Sequence, residues 1–212
     1  MTTHDPKGTI EFYFDFSSPY GYLAAQKIDR IGEKYGRKVH WHPIMLGVIF
    51  KETGNRPNAD VPLKGDYMRY DVPRTAAMMG VPFTWPEAFP IATLAAARAF
   101  YWLEENDPTR AVPFAKAAYD RYFGRGVDIR STDEVVRIAE ELGVDGNALA
   151  DGIGQEAVKQ RVKDETGEAM DKGVFGSPYF LIEGERFFGS DRFWQIERFL
   201  GKGTDKGDAG CR

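Results

Sequence analysis

The order of patterns along the chain constrains its fold more than any single motif. "TIEFYFDF", residues 9–16, alternates side-chain character and is rich in β-formers, so it reads as a strand. "PYGYLAAQKIDRIGEKYG" carries apolar residues at helical spacing and stops at Gly36, a helix-ending residue. "KVHWHPIML" reads as a second strand, and a helix of that length between two strands suits a right-handed parallel crossover. The far end differs. "SPYFLIEGERFFG" reads as two short strands around a Glu183–Gly184 turn, and "SDRFWQIERFL" as an amphipathic helix with Phe193, Ile196, Phe199 and Leu200 on one face. Between the ends the spacing is helical almost throughout, in "GDYMRYDVPRTAAMMG", "IATLAAARAFYWLEEN", "AVPFAKAAYDRYFG", "STDEVVRIAEELG" and "GQEAVKQRVKDETGEAMDKG". Ser131 and Glu134 form an S-x-x-E capping box, and Gly80, Gly124 and Gly143 stand where helices should stop.

A β-α-β start and a β-β-α finish would each leave an open sheet edge, so the two must pair. The expected fold is α/β: a thioredoxin-like domain built from residues 1–45 and 166–212, interrupted by a large all-helical insertion domain over residues 46–165. A chain of 212 residues with 42% hydrophobic composition can bury a core of that size. A net charge of −4 supplies no basic footprint for nucleic acid. "MTTHDPKGT" lacks an apolar signal region and no run is long enough to cross a membrane, so a cytoplasmic protein with no membrane partner is expected.

Cys211 is the only cysteine, in the Gly- and charge-rich tail "GTDKGDAGCR", which reads as disordered. It excludes an internal disulfide, supports no metal site and reads as an incidental surface thiol. His4 sits in the frayed start, and His40 and His42 flank Trp41 as polar residues on a strand face.

"IEFYFDFSSPYGY" places Ser18, Pro19, Tyr20 and Gly21 at the junction of the first strand and helix. A thioredoxin-like protein carries a Cys-Pro-x-Cys pair there. Without sulfur the position cannot shuttle a disulfide, which disfavours a DsbA-like oxidase. On these residues alone two readings stand: Ser17 or Ser18 caps the helix, or Ser18 donates to an anion at the helix mouth. Serine is a weak nucleophile without a base, and the histidines are poorly placed to serve as one.

Four stretches in order, "FYFDFSSPYGYLA", "GNRPNADVPLKG", "VFGSPYF" and "FFGSDRF", resemble the glutathione-dependent 2-hydroxychromene-2-carboxylate isomerases and the related kappa-class glutathione transferases. Both are thioredoxin-like proteins with a DsbA-type helical insertion, and the similarity runs from about residue 10 to residue 200. The resemblance implies glutathione as cofactor and Ser18 as the catalytic residue that hydrogen-bonds its sulfur. It implies that Asn55 and Lys64 contact the tripeptide, and that Ser177, before a cis-proline at Pro178, pairs through its backbone with the cysteinyl part. Ser190 and Asp191 match the pair that holds the γ-glutamyl end. It further implies a homodimer acting on an aromatic α-keto acid in naphthalene-type catabolism. There the thiolate adds to an unsaturated carbon, permits rotation and ring opening or closure, and leaves unconsumed. Two alternatives remain open: a kappa-like transferase that releases the glutathione conjugate, and a noncatalytic glutathione-binding module. Two residues depart from the pattern: Ser177 stands where an aliphatic residue is more usual, and Gly21 is smaller than the serine common in "SPYS".

Elementary energetics fit that role. A free thiol has a pKa of roughly 8.5, and lowering it by two units takes about 2.7 kcal/mol. One charge-assisted hydrogen bond, at ~1.5–3 kcal/mol, is of that size. Ser190 also reads as an N-cap with Asp191 at the positive helix end, while Asn55 and Lys64 fall in a Pro-rich loop. "VPFTWPEAFP" offers Phe83, Trp85 and Phe89 to a loop able to hold a planar ring, with Tyr20 and Phe188 as further contributors.

Overall fold

The computed structural model describes residues 8–201. His4, Cys211 and the tail read as disordered lie outside them. The two ends of the chain pair as the edges required. β1 (Thr9–Phe14) lies centrally, with β2 (Lys38–Pro43) parallel on one side and β3 (Tyr179–Ile182) antiparallel on the other; β4 (Glu185–Phe188) completes the order β2-β1-β3-β4. The alternation in "TIEFYFDF" sorts side chains to the two faces. Phe12 and Phe14 meet Trp41, Phe180 and the large core, Phe12 stacking on Phe180 at 5.3 Å. Tyr13 and Tyr179 join Ile44, Ile49, Ala169 and Val174 on the other face.

The first helical stretch is two helices, α1 (Pro19–Ala25) and α2 (Ile28–Tyr35), separated at Gln26–Lys27. The second strand is shorter than its sequence suggests. β2 ends at Pro43, which has no amide to continue a ladder, and Leu46 already opens α3 (Leu46–Thr53). The helical middle continues with α4 (Lys64–Met79), α5 (Leu94–Asn106), α6 (Pro108–Tyr119), α7 (Thr132–Glu140), α8 (Gly146–Gly154) and α9 (Glu156–Asp171); α10 (Phe193–Gly201) closes the fold. α3 and α8 were not legible as helices. α6 begins earlier than its apolar spacing, because Pro108 occupies the first turn, where a missing amide costs nothing. The expected junction between residues 165 and 166 falls inside α9. Ser131 caps α7 through the Glu134 amide at 3.1 Å, but the Glu134 carboxylate turns to Arg121 and Arg137 instead of closing the box.

Sheet and helices share one core. Phe14 and Phe16 reach Phe100, Phe114 and Tyr119 of the helical layer, and Tyr101 Oη donates to the Pro43 carbonyl at 2.9 Å. The ring contacts hold the end of β1, and the turn that follows it, against α5 and α6, and the Tyr101 bond holds the end of β2 against α5.

Candidate active site

The site grows from the turn Asp15–Ser18. The Ser18 amide donates to the Asp15 carbonyl at 2.8 Å, and the Ser18 hydroxyl accepts from the Gly21 amide at 3.0 Å, so Ser18 is the N-cap of α1. The same hydroxyl donates to the Ser177 carbonyl at 3.0 Å. Its single proton is therefore engaged, and Ser18 is only 6% exposed. The Ser177–Pro178 peptide is cis. The Ser177 carbonyl is taken by Ser18, so of the backbone groups that the resemblance implies for pairing with glutathione only the amide is open: it forms no hydrogen bond among the described residues.

The two departures from the family pattern meet here. A Cβ at Gly21 would lie 2.5 Å from the Tyr119 hydroxyl and 2.8 Å from Ser177 Oγ. Neither neighbour can swing away freely, since Tyr119 Oη donates to the Asp15 carbonyl at 2.8 Å and Ser177 Oγ accepts from the Asp15 amide at 3.1 Å. The hydroxyl on residue 177 and the missing side chain at residue 21 fit one another.

Asp15 is the residue that sequence reasoning missed. Its carboxylate is 4% exposed and accepts from the Ser17 amide at 2.7 Å, the Leu46 amide at 2.8 Å and the Thr93 hydroxyl at 3.0 Å. Leu46 is the first residue of α3, whose own cap position, Met45, offers no side-chain acceptor, so Asp15 caps α3 from a distance. Burial pushes the Asp15 carboxyl above its usual range, against the pull of these three donors. An acidic residue ending an apolar strand in "FYFDF" was the available signal.

A cleft of about 840 Å³ opens above this turn. It is lined by Ser18, Ser177, Asn55 and Lys64, so four of the residues expected from sequence come together. Asn55 follows the end of α3, whereas Lys64 is the first residue of α4 and not part of a loop. Lys51 and Arg56 join Lys64 on the wall, and none of the three forms an ion pair with a described residue. Phe89, Tyr20 and Phe188 face the cleft with Phe50 and Phe175. Phe83 and Trp85 do not: Phe83 stacks on Phe123 at 6.0 Å and Trp85 packs behind Phe89 at 5.2 Å. Tyr20 Oη donates to Asp71 at 2.9 Å; burial and that acceptor push its pKa far up, leaving a neutral phenol at the rim.

Pro178, Ser190 and Asp191 lie beside the cleft and not in its wall. The Gly189 amide donates to the Pro178 carbonyl at 3.0 Å, which anchors the turn carrying Ser190 and Asp191 next to the cis peptide. Ser190 is not a helix cap, because α10 starts at Phe193. The Asp191 carboxylate pairs with Arg192 at 2.6 Å and is largely exposed.

These features define a thioredoxin-fold protein with a serine in place of its redox cysteines, at the floor of a cationic cleft. A family model described as a DSBA-like thioredoxin domain matches residues 9–201, and the chain belongs to that family. It is 32% identical to a 2-hydroxychromene-2-carboxylate isomerase of Sphingobium xenophagum, over 91% of this chain and 97% of the relative. It is 28% identical to glutathione S-transferase kappa 1 of Rattus norvegicus, over 91% of each chain. A solved 2-hydroxychromene-2-carboxylate isomerase superposes with a TM-score of 0.84 at 26% identity, covering 94% of this chain and 100% of that one.

Proposed function

We propose that the chain is a glutathione-dependent isomerase that interconverts 2-hydroxychromene-2-carboxylate and its open-chain benzylidenepyruvate. The observation that carries the reading is Ser18, buried against the Ser177 backbone in a cleft whose wall carries Lys51, Arg56 and Lys64, none ion-paired with a described residue. The residues fit the tripeptide. The cleft volume falls within the ~300–1,000 Å³ of small-molecule sites. Lys51, Arg56 and Lys64 suit a ligand with two carboxylates, and the Ser177 amide is available to an extended backbone. Bound glutathione would supply a thiolate able to add to an unsaturated carbon and depart from it.

The chain's part is to hold and ionise that sulfur. Ser18 must turn its proton from the Ser177 carbonyl toward the cleft. Exchanging a neutral bond of ~0.5–1.5 kcal/mol for a charged one of ~1.5–3 kcal/mol leaves about 1 kcal/mol, somewhat under one pKa unit. The hydroxyl alone therefore does less than a whole charge-assisted bond suggests, and the cationic wall supplies the rest. Asn55 and Lys64 orient the tripeptide, Asp191 receives its ammonium group at the rim, and Phe89 and Tyr20 flank the aromatic ring and exclude water. The reading extends to a cytoplasmic homodimer.

Following the reaction with and without glutathione, after dialysis of bound thiol, tests the proposal. Turnover should require glutathione while the thiol titre stays constant; equal rates in both samples overturn it. A falling titre with isolable conjugate selects the transferase reading, which the kappa-class similarity favours. Lys64→Met should raise the KM for glutathione about three- to tenfold with little change in kcat, the effect shrinking at high salt.

A further inference from the structure

Glu11, His40 and His42 form a polar cluster that no step above uses, and none of them lines the cleft. The strand register builds it. Glu11 on β1 is directly opposite His40 on β2, and His42 follows two residues on, so all three share the sheet face that α9 covers. We propose that this face is a binding site for a divalent borderline metal ion of the zinc, nickel or copper type, ligated by Glu11, His40 Nδ1 and His42 Nε2.

The donor atoms all lie within 4.8 Å of one another. Glu11 Oε1 is 3.4 Å from His40 Nδ1, and Glu11 Oε2 is 2.6 Å from His42 Nε2. Bonds of ~2.0–2.2 Å in a tetrahedral site separate ligand atoms by roughly 3.3–3.5 Å. The first separation already has that span, and the second reaches it by a small rotation of His42. Glu165 of α9 stands 3.4 Å from His42 Nδ1, placed to orient the ring from behind as a carboxylate does for many metal-bound histidines. His42 stacks on Tyr13 at 4.7 Å, which fixes its plane. Two imidazoles and one carboxylate favour zinc, nickel or copper over magnesium or calcium, which prefer oxygen alone. An ion can arrive from solvent: His40 is half exposed, and Glu11 also borders an open depression of about 430 Å³ formed with Thr9, Lys172 and Arg186.

A metal-free explanation exists for part of the cluster. Burial works against a charged His42, yet Glu11 and Glu165 raise its pKa to about 9, so a proton can join those three residues. That arrangement gives His40 no necessary role, and His40 is the residue that separates the two accounts.

The test is calorimetric titration of the EDTA-treated full chain with Zn²⁺. The background should carry His4→Ala and Cys211→Ser, which removes the imidazole and thiol outside the described residues. One ion per chain with a dissociation constant in the micromolar range or tighter is expected, with a thermal midpoint that rises with Zn²⁺. His40→Ala should weaken binding at least tenfold while leaving the metal-free midpoint unchanged. Absence of binding in that background at 100-fold excess ion, or equal affinity with and without His40, overturns the proposal.

Discussion

Ser18→Ala is expected to lower the rate of glutathione-dependent turnover by about five- to tenfold at neutral pH, and the loss should depend on pH. The hydroxyl acts on ionisation of a bound sulfur. Removing it returns the thiol toward its free value of roughly 8.5, and each unit of pKa regained costs tenfold in thiolate below that pH. The acid limb of the pH–rate profile should therefore move up by about one unit, and the deficit should narrow above pH ~8.5 as solvent base completes the ionisation. The same substitution also removes a helix cap. The Gly21 amide loses its acceptor, at a cost of ~1 kcal/mol in stability. Ser18→Gly separates the two effects, because glycine keeps most of the capping preference but has no hydroxyl to donate, whereas Ser18→Thr, which both caps and donates, should restore activity. A uniform rate loss at every pH, or full activity in the alanine variant, would leave Ser18 as a cap alone.

The parts of the fold that were legible in the sequence are those where one interaction dominates. Alternation in residues 9–14 and the positive-φ turn at Glu183–Gly184 are local, and the pairing of the two chain ends follows from the cost of open edges. α3 was hidden because its start is capped by Asp15, 31 residues earlier in the chain. α8 was hidden in "GNALADGIG", where glycines mask the spacing; Gly152 is there because Trp102 occupies the place of its side chain. The candidate site divides the same way. Ser18 was readable from its strand–helix junction. The engaged state of its proton was not, because Ser177 comes from the opposite end of the chain. Gly21 and Ser177 looked like two independent departures, and only three-dimensional contact shows them to be one packing solution. His40 and His42 were correctly placed on a strand face, but their proximity to Glu11 depends on parallel register, which a sequence does not print.

Asp15→Asn is expected to lower stability by about 1–3 kcal/mol, and with it the affinity for glutathione. The carboxylate meets three donors, of which the two amides cannot reverse their role. An asparagine oxygen can keep the Ser17 amide and the Thr93 hydroxyl, but its NH₂ group then faces the Leu46 amide, donor against donor. The start of α3 loses its cap, and α3 leads directly to Asn55 and Arg56 of the cleft. For a chain of this size the thermal midpoint should fall by roughly 3–10 °C. The pH dependence identifies the cause. Burial raises the native pKa of Asp15 above its unfolded value of roughly 3.9. The native state thus holds the proton more tightly, so this group's stabilisation is complete below the unfolded value and is lost as pH rises through the native one. Asparagine has no proton to lose. The stability difference between wild type and variant should accordingly be widest in acid and narrow as pH increases, other carboxylates cancelling between the two proteins. Denaturant unfolding of both chains from pH 3.5 to 7 measures it. A difference that widens with pH would show that the three donors outweigh burial, and no difference at all would show that the Asp15 carboxylate does not tie the Ser17 amide to the start of α3.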